Sequence, residues 1–140
     1  EKFDISDLVN KTIEKFEKKS IQCQILEKVM FNGRKNLIQR CFNNLIDNSL
    51  KYAKKVKITH EKNNNNLIFF IEDDGLGIPA GEYENVFKPF YKIDKGRSDA
   101  KSSVGLGLSI SSDIIRSHGG YIELGKSEMG GLKVKLSLPI

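Results

Sequence analysis

The sequence has no tryptophan, only three prolines and only two cysteines among its 140 residues. Cys23 and Cys41 lack metal-ligand or redox spacing, which argues against a disulfide framework and indicates a reducing compartment. With only two histidines, His60 and His118, the chain also argues against a Cys/His zinc site. No apolar run approaches the roughly 20 residues that cross a bilayer, and no signal peptide is present. The chain begins at Glu1 without a methionine, so we expect it to be part of a longer protein.

The composition is that of a globular domain. Hydrophobic residues make up 39% and charged residues 29% of the chain, and its length suits a single domain over residues 1–140. Lys and Arg number 23 against 18 Asp and Glu, which gives a formal charge of +5. A positive surface suits a polyanionic partner such as nucleotide phosphates, although many basic domains bind no nucleic acid.

The hydrophobic pattern predicts helices and strands in mixed order. Helical spacing of apolar residues indicates helices over about 8–18, capped by Ser6 or Asp7, over 34–52 and over about 106–117. Alternation or short apolar runs indicate strands at 3–5, 21–30, 56–60, 67–71, 121–124 and 132–138, with an asparagine-rich hairpin tip at 63–66. This order predicts an α+β sandwich in which helices cover one face of a mostly antiparallel sheet. Residues 75–104 have little periodicity, which is typical of a functional or mobile loop.

The long predicted helix carries polar side chains on one side. Asn44, Asn48, Lys51 and Tyr52 are spaced at three or four residues and therefore share a helix face. They offer amide oxygens for a hard cation, an ammonium group for phosphate and a ring for a base; magnesium needs few protein oxygens when a substrate supplies phosphates. A solvated face of a Lys- and Asn-rich protein is the alternative.

A second candidate follows the buried strand at 67–71. Asp73 ends this strand, and Gly75 and Gly77 then allow a sharp turn before Ile78. A carboxylate at this point can accept hydrogen bonds from an exocyclic amino group such as that of adenine. Asp-Gly is also a common turn pair, so a plain turn is the alternative.

The third candidate lies at the end of the irregular region, and the fourth lies within it. The glycines of 103–110 precede or open a helix, where free N–H groups and the helix dipole favour an anion. This segment matches neither a P-loop nor a dinucleotide fingerprint, so alone it is weak support. Between it and the second candidate, three aromatic residues in an otherwise polar loop indicate a latch on a lid or an anchor to the core; they are Phe87, Phe90 and Tyr91.

Together and in this order, these segments resemble the ATP-binding catalytic domain of sensor histidine kinases, within the GHKL superfamily. Residues 44–52 resemble the N box, and Asp73-x-Gly75-x-Gly77 resembles the G1 box. Residues 87–91 resemble the F box, residues 105–108 the G2 box and residues 130–132 the last glycine motif. The segments 104–110, 116–120 and 130–132 are most similar to osmosensor kinases of the EnvZ type. The resemblance implies the Bergerat fold: a two-layer α/β sandwich with a mixed, mostly antiparallel sheet, three main helices on one face and a mobile ATP lid at about 75–104.

The resemblance also implies roles for individual residues. Asn48 would give its amide oxygen to Mg²⁺, with Asn44 and Lys51 facing the phosphates of ATP and Tyr52 near the nucleoside. Asp73 would bind the adenine amino group. The remaining ATP-binding positions would shape the base pocket, seat the lid or wrap the triphosphate: Gly75, Gly77, Ile78, Phe87, Phe90, Tyr91, Val104, Gly105, Leu106, Gly107 and Leu108.

Two departures from the family pattern affect the phosphate end. Lys92 stands where relatives often have arginine. The lysine ammonium is a single point charge, whereas the arginine guanidinium can donate two parallel hydrogen bonds. Arg97 or Lys101 could therefore contact the γ-phosphate instead. Ser103 and Val104 stand where many relatives have Gly-Thr, which removes one hydroxyl but leaves the backbone donors.

The resemblance implies transfer of the γ-phosphoryl group to a histidine on a dimerisation domain absent from this chain, and relay to a response-regulator Asp. No catalytic residue is assigned, because His60 and His118 lack the family's acceptor context; we expect His60 on a strand surface and His118 as a helix-end cap or a cation on the dipole. The full-length protein would be a membrane-anchored homodimer with this domain on the cytoplasmic side of the inner membrane. The isolated chain would be a soluble monomer that binds no nucleic acid.

Two other function classes stay open. ATPases of the gyrase, Hsp90 or MutL kind place a Glu base one turn before the metal-binding Asn, where this chain has Asn44, which is no base. A binding module without catalysis, for nucleic acid or as a degenerate nucleotide sensor, would favour aromatic residues interleaved with Lys or Arg on a sheet, whereas Phe69 and Phe70 lie in an apolar run.

Overall fold

The computed structural model describes residues 1–16, 20–25, 27–89 and 104–140. Within them are three α-helices: α1 (Ile5–Ile13), α2 (Lys35–Tyr52) and α3 (Val104–Ser117). The strands are β1 (Lys2–Asp4), β2 (Ile21–Gln24), β3 (Met30–Asn32), β4 (Val56–Lys62), β5 (Asn66–Asp73), β6 (Tyr121–Lys126) and β7 (Leu132–Pro139). Two single-turn 3₁₀ helices, Ala80–Glu82 and Asn85–Phe87, follow β5.

The main sheet has five strands in the order β2-β4-β5-β7-β6. β2 runs parallel to β4, and the other neighbours are antiparallel. β1 and β3 form a separate antiparallel ribbon. The sheet is therefore mixed and mostly antiparallel, and the predicted α+β fold is confirmed.

One face of the sheet forms the core together with α2 and α3. Strand β5 alternates buried and half-buried residues, as expected for a strand with one covered face. The apolar stripe of α2 packs onto it, with Phe42 and Phe69 in an edge-to-face contact at 5.0 Å between ring centroids. Burial of each such large side chain contributes roughly 1.5–3 kcal/mol. α1 packs beside α2, and α2 in turn contacts β4 and β5.

The start of α1 differs from the prediction. The helix begins at Ile5, and Asp4 rather than Ser6 or Asp7 is the N-cap: its carboxylate accepts the Asp7 N–H at 3.1 Å. Asp4 has an extended backbone, and it is both the last residue of β1 and the N-cap of α1. Ser6 is instead buried in the first turn, which excludes it as a cap.

The structure describes the surroundings of both cysteines. Cys23 is half-buried and Cys41 is buried, and both are free thiols. Burial raises the pKa of Cys41 to about 12, so this thiol stays protonated. Among the residues that the structure covers, no cluster of three or more metal-ligating side chains occurs. No helix in those segments has the length and apolar character needed to cross a membrane.

Candidate functional site

The end of α2 and the turn after β5 enclose a cavity of about 500 Å³. Its size lies within the range of small-molecule binding sites. The lining residues come from two segments, the C-terminal turn of α2 with its exit and the turn after Asp73: Lys51, Tyr52, Ala53, Lys54, Asp74, Gly75 and Leu76. The structure thus brings Lys51, Tyr52 and Gly75 together although 24 positions separate the first from the last.

Asp73 is the buried carboxylate next to this cavity, with 5% of its surface exposed. One oxygen, Oδ1, accepts the Gly75 and Leu132 N–H groups, each at 3.0 Å. Burial raises the pKa of Asp73 and the charge of Asp74 adds to the rise, while the two N–H groups and the Ser49 hydroxyl oppose it. An ionised carboxylate has about four acceptor positions, so Asp73 keeps capacity for a further donor.

Glycines allow the backbone to approach this carboxylate. A Cβ on Gly131 would overlap the Asp73 carboxylate, and a Cβ on Gly75 would overlap the Tyr52 carbonyl oxygen. Gly77 has a φ of 72°, which favours glycine. Ile78 is buried beneath this turn. The sequence predicted Gly75, Gly77 and Ile78 for the site, but the contact of Gly131 depends on a strand 58 residues from Asp73 that periodicity does not reveal.

The polar face of α2 continues away from the cavity. Asn48 and Asn44 lie one and two turns before Tyr52, and both are half-buried. The Lys51 ammonium pairs with Asp47 at 3.5 Å, with both side chains about half exposed (53%). Such an exposed pair contributes about 0.3–0.5 kcal/mol, so a phosphate can compete for Lys51.

The amide of Asn48 has a feature typical of a ligand-binding group. Its Nδ2 is buried and has no hydrogen-bond partner among the residues that the structure covers. A buried polar atom without a partner calls for an explanation, and a bound group nearby is one. The amide oxygen on the same side chain is a hard donor of the kind that Mg²⁺ prefers. The residues present therefore fit a magnesium ion whose other ligands are phosphate oxygens and water.

The phosphate end of the predicted site is described in part. α3 begins at Val104, so the backbone of Gly105, Leu106 and Gly107 belongs to its first turn, and Leu108 is buried. Phe87 is half-buried and packs against the core. Five predicted lid and phosphate residues lie outside the described residues: Phe90, Tyr91, Lys92, Arg97 and Lys101.

Both histidines are integrated into the fold. His118 Nε2 accepts the Arg34 N–H at 3.1 Å, and Nδ1 lies 2.8 Å from the Ile114 carbonyl oxygen, so the ring is neutral with its proton on Nδ1. It therefore joins α3 to the start of α2 rather than acting as a cation. His60 was expected on the surface, but it is half-buried on the helix-covered face, with its ring 6.0 Å from that of Phe69 and its Nδ1 buried.

Comparison with known proteins gives consistent matches. A family model described as "Histidine kinase-, DNA gyrase B-, and HSP90-like ATPase" matches residues 33–140. The sensor histidine kinase GtrS of Pseudomonas aeruginosa is 34% identical over 109 residues, which cover 78% of this chain and 22% of GtrS. The chain thus spans about a fifth of the length of this relative.

Solved structures agree in fold. The mycobacterial sensor histidine kinase MprB has a TM-score of 0.86 at 22% identity, and the match covers 99% of this chain and 97% of that one. The histidine kinase domain of the E. coli osmosensor EnvZ has a TM-score of 0.75 at 29% identity, with 100% and 88% covered.

Proposed function

Because this chain belongs to the histidine kinase-, DNA gyrase B- and HSP90-like ATPase family, we propose that it is the ATP-binding catalytic domain of a two-component sensor histidine kinase. It binds Mg-ATP and presents the γ-phosphoryl group to a histidine on the protein's dimerisation domain. The curated relatives support this class, since they are named sensor histidine kinases. The likeness to EnvZ supports a kinase of the osmosensor type.

The observation that carries the proposal is the buried Asp73 carboxylate at the edge of the cavity. Its Oδ1 accepts two backbone N–H groups, and the Ser49 hydroxyl also bonds the carboxylate. About four acceptor positions leave room for a further donor, which we assign to the ligand. The exocyclic amino group of adenine is such a donor, whereas guanine presents a carbonyl at the equivalent position. We propose that Gly75, Gly77 and Ile78 shape the base pocket and that Tyr52 contacts the nucleoside. Of these residues, Gly75 and Tyr52 line the cavity.

Phosphoryl transfer requires positioning and charge neutralisation more than covalent chemistry by the protein. Lys51 and Asn44 face the phosphates from α2, and the first turn of α3 offers N–H groups at its positive end. Asn48 would hold a magnesium ion through its amide oxygen, and that ion would supply charge neutralisation. Phe90, Tyr91, Lys92 and the start of α3 from Val104 to Leu108 complete the proposed ATP site.

The proposed partners follow from this reaction. The acceptor histidine belongs to the dimerisation domain, and a response regulator takes the phosphoryl group onto an Asp. We propose that the full-length protein is a membrane-anchored homodimer whose catalytic domain lies in the cytoplasm. The isolated chain acts as a monomer and has no role in nucleic-acid binding.

Isothermal titration of the chain tests the proposal. We expect ATP to bind more tightly with magnesium than without, and GTP to bind at least about tenfold more weakly than ATP, a difference of about 1.4 kcal/mol. Thermal unfolding provides a second readout, because a ligand at about 100 times its dissociation constant adds roughly 2.7 kcal/mol of stability. Absence of binding by any nucleotide would contradict the proposal, and salt-sensitive DNA binding without nucleotide binding would favour a binding module.

A further inference from the structure

Asp74 connects the two segments that enclose the cavity. Its Oδ1 accepts the backbone N–H of Lys54 at 2.8 Å and that of Lys55 at 2.9 Å. In return, the Asp74 N–H donates to the Lys55 carbonyl oxygen at 3.2 Å. One residue of the turn after β5 therefore makes three hydrogen bonds to the connection between α2 and β4. We call this set of bonds the Asp74 clamp.

The clamp bears directly on the shape of the cavity. Helix α2 ends at Tyr52, and Ala53 leaves it in extended conformation, with φ −137° and ψ 161°. Tyr52, Ala53 and Lys54 line one side of the cavity, and Asp74 and Gly75 line the other. The regular pairing of β4 with β5 begins only at Val56 opposite Asp73. The clamp is thus the hydrogen-bonded link at the point where the chain leaves α2 for the sheet.

The opposite wall is already fixed. Asp73 is tied to the backbone of Gly131 and Leu132 from β7 and its turn, and Gly75 is tied to Asp73 through its own N–H. The Tyr52 side reaches this frame through the clamp, through the close contact of Gly75 with the Tyr52 carbonyl oxygen, and through the Ser49 hydroxyl, which bonds Asp73 from the last turn of α2. A small displacement of the Tyr52 side would change the distance between Tyr52 and the Asp73 carboxylate.

We propose that Asp74 is a positioning residue for nucleotide binding: its clamp holds the Tyr52–Lys54 wall at the separation from Asp73 that the base requires. The inference rests on the proposed function and extends it to a residue that does not itself touch the nucleotide. Pre-organised walls raise affinity because the free protein does not have to order them when the ligand binds. The charge of Asp74 is incidental to this role, since any oxygen acceptor of the same reach makes the clamp.

Two pairs of variants separate the clamp from other effects. Asp74→Ala removes the acceptor, whereas Asp74→Asn keeps an oxygen at the same position. Lys54→Pro removes one N–H donor, and the extended backbone of Ala53 is compatible with a following proline. Lys54→Ala removes the same side chain but keeps the N–H. Asp113→Ala, on the exposed side of α3, is the control for loss of an acidic side chain.

The measurement is the dissociation constant for Mg-ATP by titration calorimetry, with thermal unfolding of each free variant to show that it is folded. We expect affinity to fall about tenfold in Asp74→Ala and in Lys54→Pro relative to Lys54→Ala. Asp74→Asn and Asp113→Ala should stay within about twofold of the wild type, and Lys54→Ala is the reference for Lys54→Pro only. The Lys54 pair tests the clamp independently if Asp74→Ala does not fold.

The outcomes distinguish this inference from the proposed function. Wild-type protein that binds Mg-ATP, with folded Asp74→Ala and Lys54→Pro binding equally well, overturns the clamp and leaves the proposed function intact. A loss in Asp74→Asn equal to that in Asp74→Ala would also overturn it, because charge rather than the clamp would then matter. Wild-type protein that binds no nucleotide overturns the proposed function and this inference with it.

Discussion

At the scale of single residues, we propose that the hydrogen bonds of Asp73 determine which base the cavity accepts. Two backbone N–H groups occupy Oδ1, so an Asn at this position has to keep its oxygen there. Its NH₂ group then points to the side where the carboxylate accepted a donor. The substitution therefore converts an acceptor for the ligand into a donor, with little change in shape.

This conversion predicts a change in nucleotide selectivity. In Asp73→Asn we expect ATP affinity to fall at least about tenfold, because two donors would face each other. GTP affinity should stay the same or rise, because O6 of guanine can accept from the new NH₂ group. Calorimetric titration with both nucleotides measures the ratio, and a preserved preference for ATP would show that Asp73 does not contact the base.

The protonation of Asp73 leads to a second prediction, in which binding and stability change in opposite directions. Burial, with the neighbouring Asp74 charge, raises the pKa of Asp73. The folded state therefore holds this proton more tightly than the unfolded state. The group's contribution to stability is fully present below the unfolded pKa and is lost as pH rises through the folded pKa. In the proposed site the adenine amino group binds the ionised carboxylate of Asp73, so we expect ATP binding to strengthen as pH rises through the same window.

Titrations of the unliganded chain and of ATP affinity over about pH 4 to 7 check this pair of trends. Asp74→Asn removes the charge that raises the pKa of Asp73, so the fall in ATP affinity on acidification should occur at lower pH than in the wild type. In Asp73→Asn this fall should disappear. If it is unchanged in Asp73→Asn, another group causes the pH dependence.

Asn48 is the third residue with a distinct expected effect. Loss of its amide oxygen removes the proposed protein ligand of Mg²⁺, while the base pocket around Asp73 is untouched. In Asn48→Ala, ATP affinity measured with magnesium should fall about tenfold, and affinity measured with a chelator should change much less. Asn43→Ala, an exposed position on the same helix, is the matched control. Equal magnesium dependence in Asn48→Ala and wild type would refute the metal assignment.

At the scale of elements, His118 joins the end of α3 to the beginning of α2. It bonds the Ile114 carbonyl oxygen and the Arg34 N–H, and its ring lies 5.9 Å from that of Phe31. Gly33 leaves room for this ring, since a Cβ there would overlap both Phe31 and His118. This contact of His118 with the beginning of α2, which we call the His118 joint, lies at the opposite end of α2 from the cavity. Its contribution is therefore to the stability of the helical layer.

We expect His118→Ala to destabilise the chain by about 0.5–1.5 kcal/mol, because the exposed Arg34 N–H loses its acceptor while the Ile114 carbonyl oxygen keeps the Ser117 hydroxyl. For a chain of this length the melting temperature should fall by several degrees. ATP affinity should stay within about twofold of the wild type. Arg116→Ala, an exposed position in the same helix, is the control. A loss of ATP affinity in folded His118→Ala would show that the joint shapes the site.

The elements differ in how far the sequence predicts them. The apolar stripe of α2 predicts Lys35–Tyr52 to within one residue, because helical periodicity over 18 positions is specific. For β2 and β3, the sequence does not determine how the segment divides into strands, because short apolar stretches carry little periodicity. In the site, Asp73 and Gly75 follow from local sequence. The Asp74 clamp and the contact of Gly131 do not, because each depends on where a distant segment lies in the fold.

At the scale of the whole molecule, the positions of the two histidines bear on where the phosphoryl group goes. His60 pairs with Phe69, four residues before Asp73 on β5, which places it about 13 Å along the sheet from the site. His118 follows α3, about 20 Å along the helix axis from its first turn. Both ring nitrogens of His118 are engaged, and Nδ1 of His60 is buried. In-line attack on a γ-phosphorus requires contact distance, and with ATP placed as proposed we expect neither ring to reach it.

These positions predict where label from γ-labelled Mg-ATP appears. The chain alone should acquire no acid-labile phosphate, whereas an added histidine-containing dimerisation domain of a matching sensor kinase should become labelled. Asn48→Ala should reduce that labelling at least about tenfold, because Asn48 would hold the magnesium ion that neutralises the phosphate charge. His60→Ala should label the partner at the wild-type rate. Acid-labile label on this chain that disappears in His60→Ala or His118→Ala would instead identify an acceptor within it, and the separation of nucleotide site and acceptor would be wrong.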